Sequence, residues 1–68
     1  MDQKAKELIG IAAAVAGHCQ KCFSCHYNEA KKLSIGEGDI KEAIELARAI
    51  RGAGNKGMDE FVEHMISR

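Results

Sequence analysis

The side chains with the most chemical potential lie in one short stretch of the chain, from His18 to His26. This stretch contains all three cysteines of the sequence, Cys19, Cys22 and Cys25, and two of its three histidines. On a helix, each residue turns the chain by about 100°. Cys19, Cys22 and His26 therefore share one side of a helix, whereas Cys25 lies on a different flank.

This spacing favours thiol chemistry. Two cysteines three residues apart at a helix start can form a reversible disulfide across one turn, and the partial positive charge of the helix N-terminus stabilises a thiolate. His26, one turn after Cys22, can take and return the thiol proton. The pattern predicts an activated thiol with a resolving partner beside it.

Glu7 is the last charged residue before an apolar run, on a flank where Gly10 and Ala14 let another helix approach closely. A partly buried carboxylate at such a junction needs a partner, and His26 is one candidate. Alternatively, Glu7 is a first-turn acid favoured by the helix dipole, with Lys4 or Lys6 nearby. The residues alone leave both interpretations open.

Four helices are predicted to position these side chains, because apolar residues recur at helical spacing, proline is absent and no strand-like alternation is sustained. The expected fold class is all-α, with helices over about 2–16, 19–33, 39 or 40 to 51, and 57–66. Gly17 and His18 are expected to end the first helix. The turn at 34–38 is expected to use positive φ at Gly36 and Gly38.

The apolar surface exceeds what four short helices can bury. The first helix is apolar on all sides from Leu8 onward, so it should be surrounded by protein, and the third carries two apolar stripes. We therefore expect a homo-oligomer with a helical interface. The last helix carries one apolar face, formed by Met58, Phe61, Val62, Met65 and Ile66. Its two methionines are expected to pack into the core.

Composition excludes several classes of protein. A chain of 68 residues predicts one domain, 1–68. Ten basic and ten acidic residues balance, which argues against a nucleic-acid partner. The longest apolar run, Leu8 to Gly17, is too short for a membrane span, which needs about 20 residues. No export signal is recognisable, so a cytoplasmic location with reduced thiols is expected.

The order of these residues resembles the carboxymuconolactone decarboxylase superfamily, and its alkylhydroperoxidase D branch in particular. The resemblance extends over roughly 7–54 and implies a helical fold assembled as trimers or hexamers. It rests on Glu7, Cys19-x-x-Cys22, His26, Ala30, a glycine-containing turn and Asp39-Ile40-x-Glu42-Ala43.

The resemblance also implies roles for individual residues. Cys22 would attack a hydroperoxide, Cys19 would resolve the resulting sulfenic acid as a disulfide, and His26 and Glu7 would relay the proton. We therefore expect the cysteine pair to reduce a hydroperoxide or a disulfide partner, with an external dithiol as reductant and with neither a cofactor nor a metal. The chain departs from the pattern at Lys21, where the relay usually has a histidine. Lys21 and His18 are therefore auxiliary candidates.

Other hypotheses use the same residues. The three cysteines with His18 or His26 could form a zinc or iron–sulfur site in a metal-binding or redox-sensing module, although ligands from one helix converge poorly. The order Cys22-x-x-Cys25-His26 also matches c-type haem attachment, which requires export. A third possibility is a non-catalytic oligomer with unreactive thiols. Cys25 by itself is expected to be a small buried hydrophobe.

Overall fold

In the computed structural model, which describes residues 1–54 and 57–67, the chain forms four α-helices and, over those residues, no strand. The prediction of an all-α chain with four helices is confirmed. The central helix is α1, which packs against both α2 and α3. The helices are α1 (Gln3–Ala16), α2 (Gln20–Lys32), α3 (Glu37–Ala53) and α4 (Met58–Ile66).

The core forms where apolar residues of α1, the end of α2 and the start of α3 meet. Ile11 and Ile40 are its largest fully enclosed side chains. Ala30, near the end of α2, and Ile35, just after that helix, complete the buried cluster. A ring of partly buried side chains surrounds this cluster, namely Leu8, Phe23, Tyr27, Leu33 and Ile44.

The end of α1 fixes the start of α2. Gly17 is the C-cap, and His18 follows in the left-handed conformation with φ 58°. The N–H of Cys19 donates to the Ala14 carbonyl at 2.9 Å, and that of His18 to the Val15 carbonyl at 3.4 Å. These two bonds define a Schellman motif, which satisfies carbonyls that the helix leaves unpaired. As predicted, the first helix ends at Gly17 and His18.

The end of α2 repeats this motif, but not at the predicted residues. Ser34 has the left-handed conformation, with φ 59°, and the N–H of Ile35 donates to the Ala30 carbonyl at 3.0 Å. Gly36 instead has φ −63° as the N-cap of α3, and Gly38 lies inside that helix. The expectation of positive φ at both glycines is wrong, because the Schellman motif places the left-handed residue directly after the C-cap of α2.

The third helix is longer at both ends than predicted. It begins at Glu37 rather than at 39 or 40, because Gly36 acts as N-cap and the acids at 37 and 39 favour the positive end of the helix dipole. It continues through Gly52 to Ala53 rather than ending at Arg51. Gly52 therefore lies inside α3 and does not end the helix.

The last helix is not part of the core. No described residue of α4 is buried, and among the described residues α4 does not pack against another helix. Phe61 is 58% exposed and Ile66 is 76% exposed. Met58 and Met65 are exposed as well, so the expectation that they pack into the core is wrong within a single chain. Ile9 of α1 is also 52% exposed, so α1 is not surrounded by its own chain.

Over the residues that the structure describes, no helix combines the length and the apolar character that a bilayer span requires.

Candidate active site

Two sulfurs lie at the N-terminal end of α2. Cys19 and Cys22 form a disulfide with their Cα atoms 5.3 Å apart. Cys19 is the N-cap of α2, so the helix begins one residue later than predicted. The Sγ atom of Cys19 accepts a hydrogen bond from the Cys22 N–H at 3.2 Å. The free N–H groups and the dipole of a helix start favour negative charge. Reduction would therefore leave a stabilised thiolate at this position.

A buried carboxylate lies on the opposing helix. Glu7 of α1 is only 5% exposed, and its Oε1 lies 2.8 Å from Nδ1 of His26 on α2. Its Oε2 accepts a hydrogen bond of 2.6 Å from Nε2 of Gln3. Both oxygens therefore have partners, as buried polar atoms require. Of the two interpretations of Glu7, the structure shows the one in which His26 is its partner.

These contacts determine the charge of Glu7. The hydrogen bond with His26 lowers the pKa of Glu7 below the ordinary value of 4.5, against the opposing effect of burial, and the bond from Gln3 lowers it further. The carboxylate is therefore ionised at neutral pH and can only accept hydrogen bonds. It follows that Nδ1 of His26 carries a hydrogen, and that Nε2 is the nitrogen that can gain or lose the other proton.

Gly10 makes this contact possible. A Cβ atom at Gly10 would lie 2.6 Å from both Cγ and Nδ1 of the His26 ring, which is closer than real Cβ atoms approach. A residue without a side chain is therefore needed where the ring lies on α1. Because Glu7 is one turn before Gly10 on the same helix, the close approach brings carboxylate and imidazole together.

The other candidate residues, His18, Lys21 and Cys25, are all exposed. His18 is exposed and lines a cleft beside Cys19, whereas Lys21 is exposed in the first turn of α2. Cys25 is a free, exposed thiol, so its expected burial is wrong. Within residues 1–54 and 57–67, no group of three or more Cys, His, Asp or Glu side chains is arranged to hold a metal ion.

The cleft beside Cys19 adds residues that the sequence pattern did not indicate. It has a volume of about 490 Å³ and lies between the end of α1, the start of α2 and one face of α3. Arg48 and Arg51 of α3 line it. Both are far from the cysteines along the chain, and nothing in their local sequence distinguishes them from ordinary surface cations.

The sequence profile described as the carboxymuconolactone decarboxylase family matches residues 1–57. The match includes the whole of α1, α2 and α3, and with them Glu7, both bonded cysteines and His26. Neither curated proteins nor solved structures gave a significant match to the chain.

Replacing Gly10 with alanine tests the close approach. The added methyl must displace the His26 ring, so we expect Gly10→Ala to destabilise the protein by about 1–3 kcal/mol despite the better helix propensity of alanine. Gly52→Ala is the matched control, because a Cβ there has no neighbour within 4 Å. It should leave stability unchanged or raise it by up to about 1 kcal/mol. Urea unfolding measures both, and equal stabilisation by the two substitutions would contradict the packing described.

The Glu7 carboxylate should make stability depend on pH. Because folding lowers its pKa, the stabilisation is present above the ordinary value of 4.5 and is lost as pH falls through the lower folded value. Glu7→Gln removes the titrating group, so the variant should lose less stability than the wild type on acidification.

Urea unfolding at neutral and acidic pH measures this difference. Glu37→Gln is the control, since the pKa of Glu37 is also lowered, by Lys31, but in an exposed pair that solvent screens. Its acid dependence should stay close to that of the wild type. Parallel loss of stability in the wild type and in Glu7→Gln would show that the carboxylate does not contribute as described.

Proposed function

The chain belongs to the carboxymuconolactone decarboxylase family, and on that basis we propose that it is a thiol-dependent redox enzyme of the alkylhydroperoxidase D type. It reduces a hydroperoxide with the Cys19 and Cys22 thiols, and an external dithiol returns the disulfide to the reduced form. The observation that carries the proposal is the combination of a disulfide at a helix start with an imidazole one turn away, held by a buried carboxylate.

Cys22 is the attacking residue in this proposal. Its side chain is exposed, whereas Cys19 is partly buried, so a peroxide has better access to Cys22. Its thiolate attacks one oxygen of the hydroperoxide, the O–O bond breaks, and the other oxygen leaves with the electron pair and takes a proton to become an alcohol. Cys22 is thereby oxidised to the sulfenic acid.

Cys19 completes the reaction. Its sulfur attacks the Cys22 sulfur, the S–O bond breaks, and the hydroxyl group leaves as water after gaining a proton. The product is the disulfide seen in the structure. Two electrons have passed from the thiols to the peroxide, and a dithiol reductant must supply two electrons and two protons before the next turnover.

His26 and Glu7 move the proton. His26 follows Cys22 by four residues on α2. The imidazole therefore lies on the same face of the helix as the Cys22 side chain, one turn further along. The free Nε2 takes the Cys22 proton and delivers it to the leaving oxygen, while the ionised Glu7 stabilises the imidazolium formed in between. Lys21, in the first turn of α2, adds positive charge that favours the thiolate, and His18 serves as an auxiliary group beside Cys19.

We further propose that the enzyme is a cytoplasmic homo-oligomer, a trimer or hexamer. Exposed apolar side chains of α4, together with Ile9, Leu46 and Ile50, support an interface between copies, because monomers rarely leave large apolar patches open. Light scattering gives the subunit number directly, and a monomeric mass would contradict this proposal.

Peroxide consumption with excess dithiol tests the activity. Cys22→Ser should abolish turnover, because the attacking sulfur is missing. His26→Ala should lower kcat by about 100-fold or more, the usual contribution of a general acid–base. Cys25→Ser should retain the wild-type rate. Wild-type protein without turnover, or Cys22→Ser protein with it, would contradict the proposal.

The double variant Cys19→Ser/Cys25→Ser distinguishes the roles of the two bonded cysteines. Without a resolving thiol, a single addition of peroxide should convert Cys22 to the sulfenic acid, visible by mass spectrometry as one added oxygen that a dimedone-type reagent traps. Trapping at a residue other than Cys22 would overturn the assignment.

A further inference from the structure

Gln3 bonds to the carboxylate oxygen of Glu7 that His26 leaves free. Nε2 of Gln3 donates to Oε2 at 2.6 Å, while Oε1 lies 2.8 Å from Nδ1 of His26. The cap of α1 determines where Gln3 lies, because the Asp2 side chain accepts the N–H of Ala5 and makes Gln3 the first helical residue. Glu7 follows four residues later, so the two side chains meet on one face of the helix.

The direction of this bond follows from the charge of Glu7. An ionised carboxylate has no hydrogen to donate, so the Gln3 amide must present its NH2 group to Oε2. Gln3 itself is exposed, whereas Glu7 is buried. The Gln3 side chain therefore adds little to the core, and it contributes to the site a donor for an oxygen that water reaches poorly.

Two donors fix the plane of the Glu7 carboxylate better than one. The last torsion of a glutamate side chain has a broad, roughly two-fold profile, so a bond at one oxygen leaves the plane loosely defined. A second bond, at the other oxygen, restricts this rotation and keeps Oε1 directed at the imidazole. The bond with His26 lowers the pKa of Glu7 most, and the bond from Gln3 lowers it further. Both bonds therefore keep the carboxylate ionised.

We infer that Gln3 is a positioning residue of the proton relay, which holds the Glu7 carboxylate in the orientation that binds Nδ1 of His26. This inference rests on the proposed function and extends the relay to the first residue of α1. Within the described residues, the side-chain hydrogen bond of Gln3 goes to Glu7. Gln3 therefore acts on the reaction through Glu7 and His26, and no bond forms or breaks at Gln3 itself.

The effect on the reaction follows from the charge that forms on His26. When the imidazole takes the Cys22 proton it becomes a cation, which the ionised Glu7 stabilises. A carboxylate that turns away from Nδ1, or that gains a proton, stabilises this cation less. Loss of the Gln3 donor should therefore slow the proton transfer while every reacting group stays in place.

Gln3→Met tests this bond, because methionine has a similar length and favours a helix but has no hydrogen to donate. Carbon-13 NMR of the Glu7 carboxyl carbon, followed through a pH titration, gives the pKa of Glu7. We expect a higher pKa in Gln3→Met than in the wild type, since one donor to the carboxylate is lost. His26 is the titratable side chain in contact with Glu7, and among the described residues no charged side chain of α1 or α3 bonds to it.

The rate of the peroxide reaction tests the role of Gln3 in the relay. The reduced protein is mixed with a stoichiometric amount of peroxide, and formation of the Cys19–Cys22 disulfide is followed by quenching and alkylation. Gln3→Met should react about tenfold more slowly, the factor of one hydrogen bond to a charged group. Gln20→Met is the matched control, because Gln20 is also the first residue of a helix, α2, whereas the partners of Glu7 are Gln3 and His26. It should keep both the wild-type rate and the wild-type pKa of Glu7.

Gln3→Lys separates the donor from the amide. Lysine at this position offers an N–H donor to the carboxylate four residues later, so it should keep the low pKa of Glu7 and restore most of the wild-type rate. A purely structural role of the glutamine predicts no such rescue.

Three results would overturn the inference: an unchanged pKa of Glu7 in Gln3→Met, an unchanged rate of disulfide formation in that variant, or a rate that Gln3→Lys does not restore. The two proposals fail in different ways. Wild-type protein that forms no disulfide with peroxide contradicts the proposed function, whereas a normal wild-type rate with an equal rate in Gln3→Met contradicts only the role of Gln3.

Discussion

The hydrogen bond between Glu7 and His26 is the constraint on which the site depends. A carboxylate that is 5% exposed must have partners for both oxygens, and the structure supplies an imidazole from α2 and an amide from α1 itself. The bond therefore fixes how α2 lies on α1 and which nitrogen of the ring is free. Gly10 permits the approach, because no other residue leaves room for the ring.

Helix ends position the sulfurs. The N–H of Cys19 closes the Schellman motif at the end of α1, and the same residue is the N-cap of α2, where its sulfur accepts a hydrogen bond from the Cys22 N–H. The sulfurs therefore lie at the positive end of a helix, while the imidazole lies one turn further along the same helix. Backbone hydrogen bonds at one short connection thus bring thiol chemistry and the proton relay together.

Much of this arrangement could be predicted from local pattern. Apolar spacing predicted the helices, and the separation of Cys22 and His26 predicted their common face, because both depend only on helical geometry. The left-handed turn at Ser34 could not be predicted, since Gly36 is the better residue for that conformation and tertiary packing of Ile35 decided otherwise. Arg48 reaches the cleft only through packing of α3 on α1, which no local pattern encodes.

The tautomer of His26 tests the central claim most directly, because an ionised Glu7 leaves one arrangement of the ring proton. Nitrogen-15 NMR of the imidazole, at a pH where the ring is neutral, distinguishes the two ring nitrogens. We predict a protonated Nδ1 and an unprotonated Nε2 in the wild type, with loss of this preference in Glu7→Ala, which removes the acceptor. A ring protonated at Nε2 in the wild type, or a spectrum unchanged by the substitution, would contradict the account.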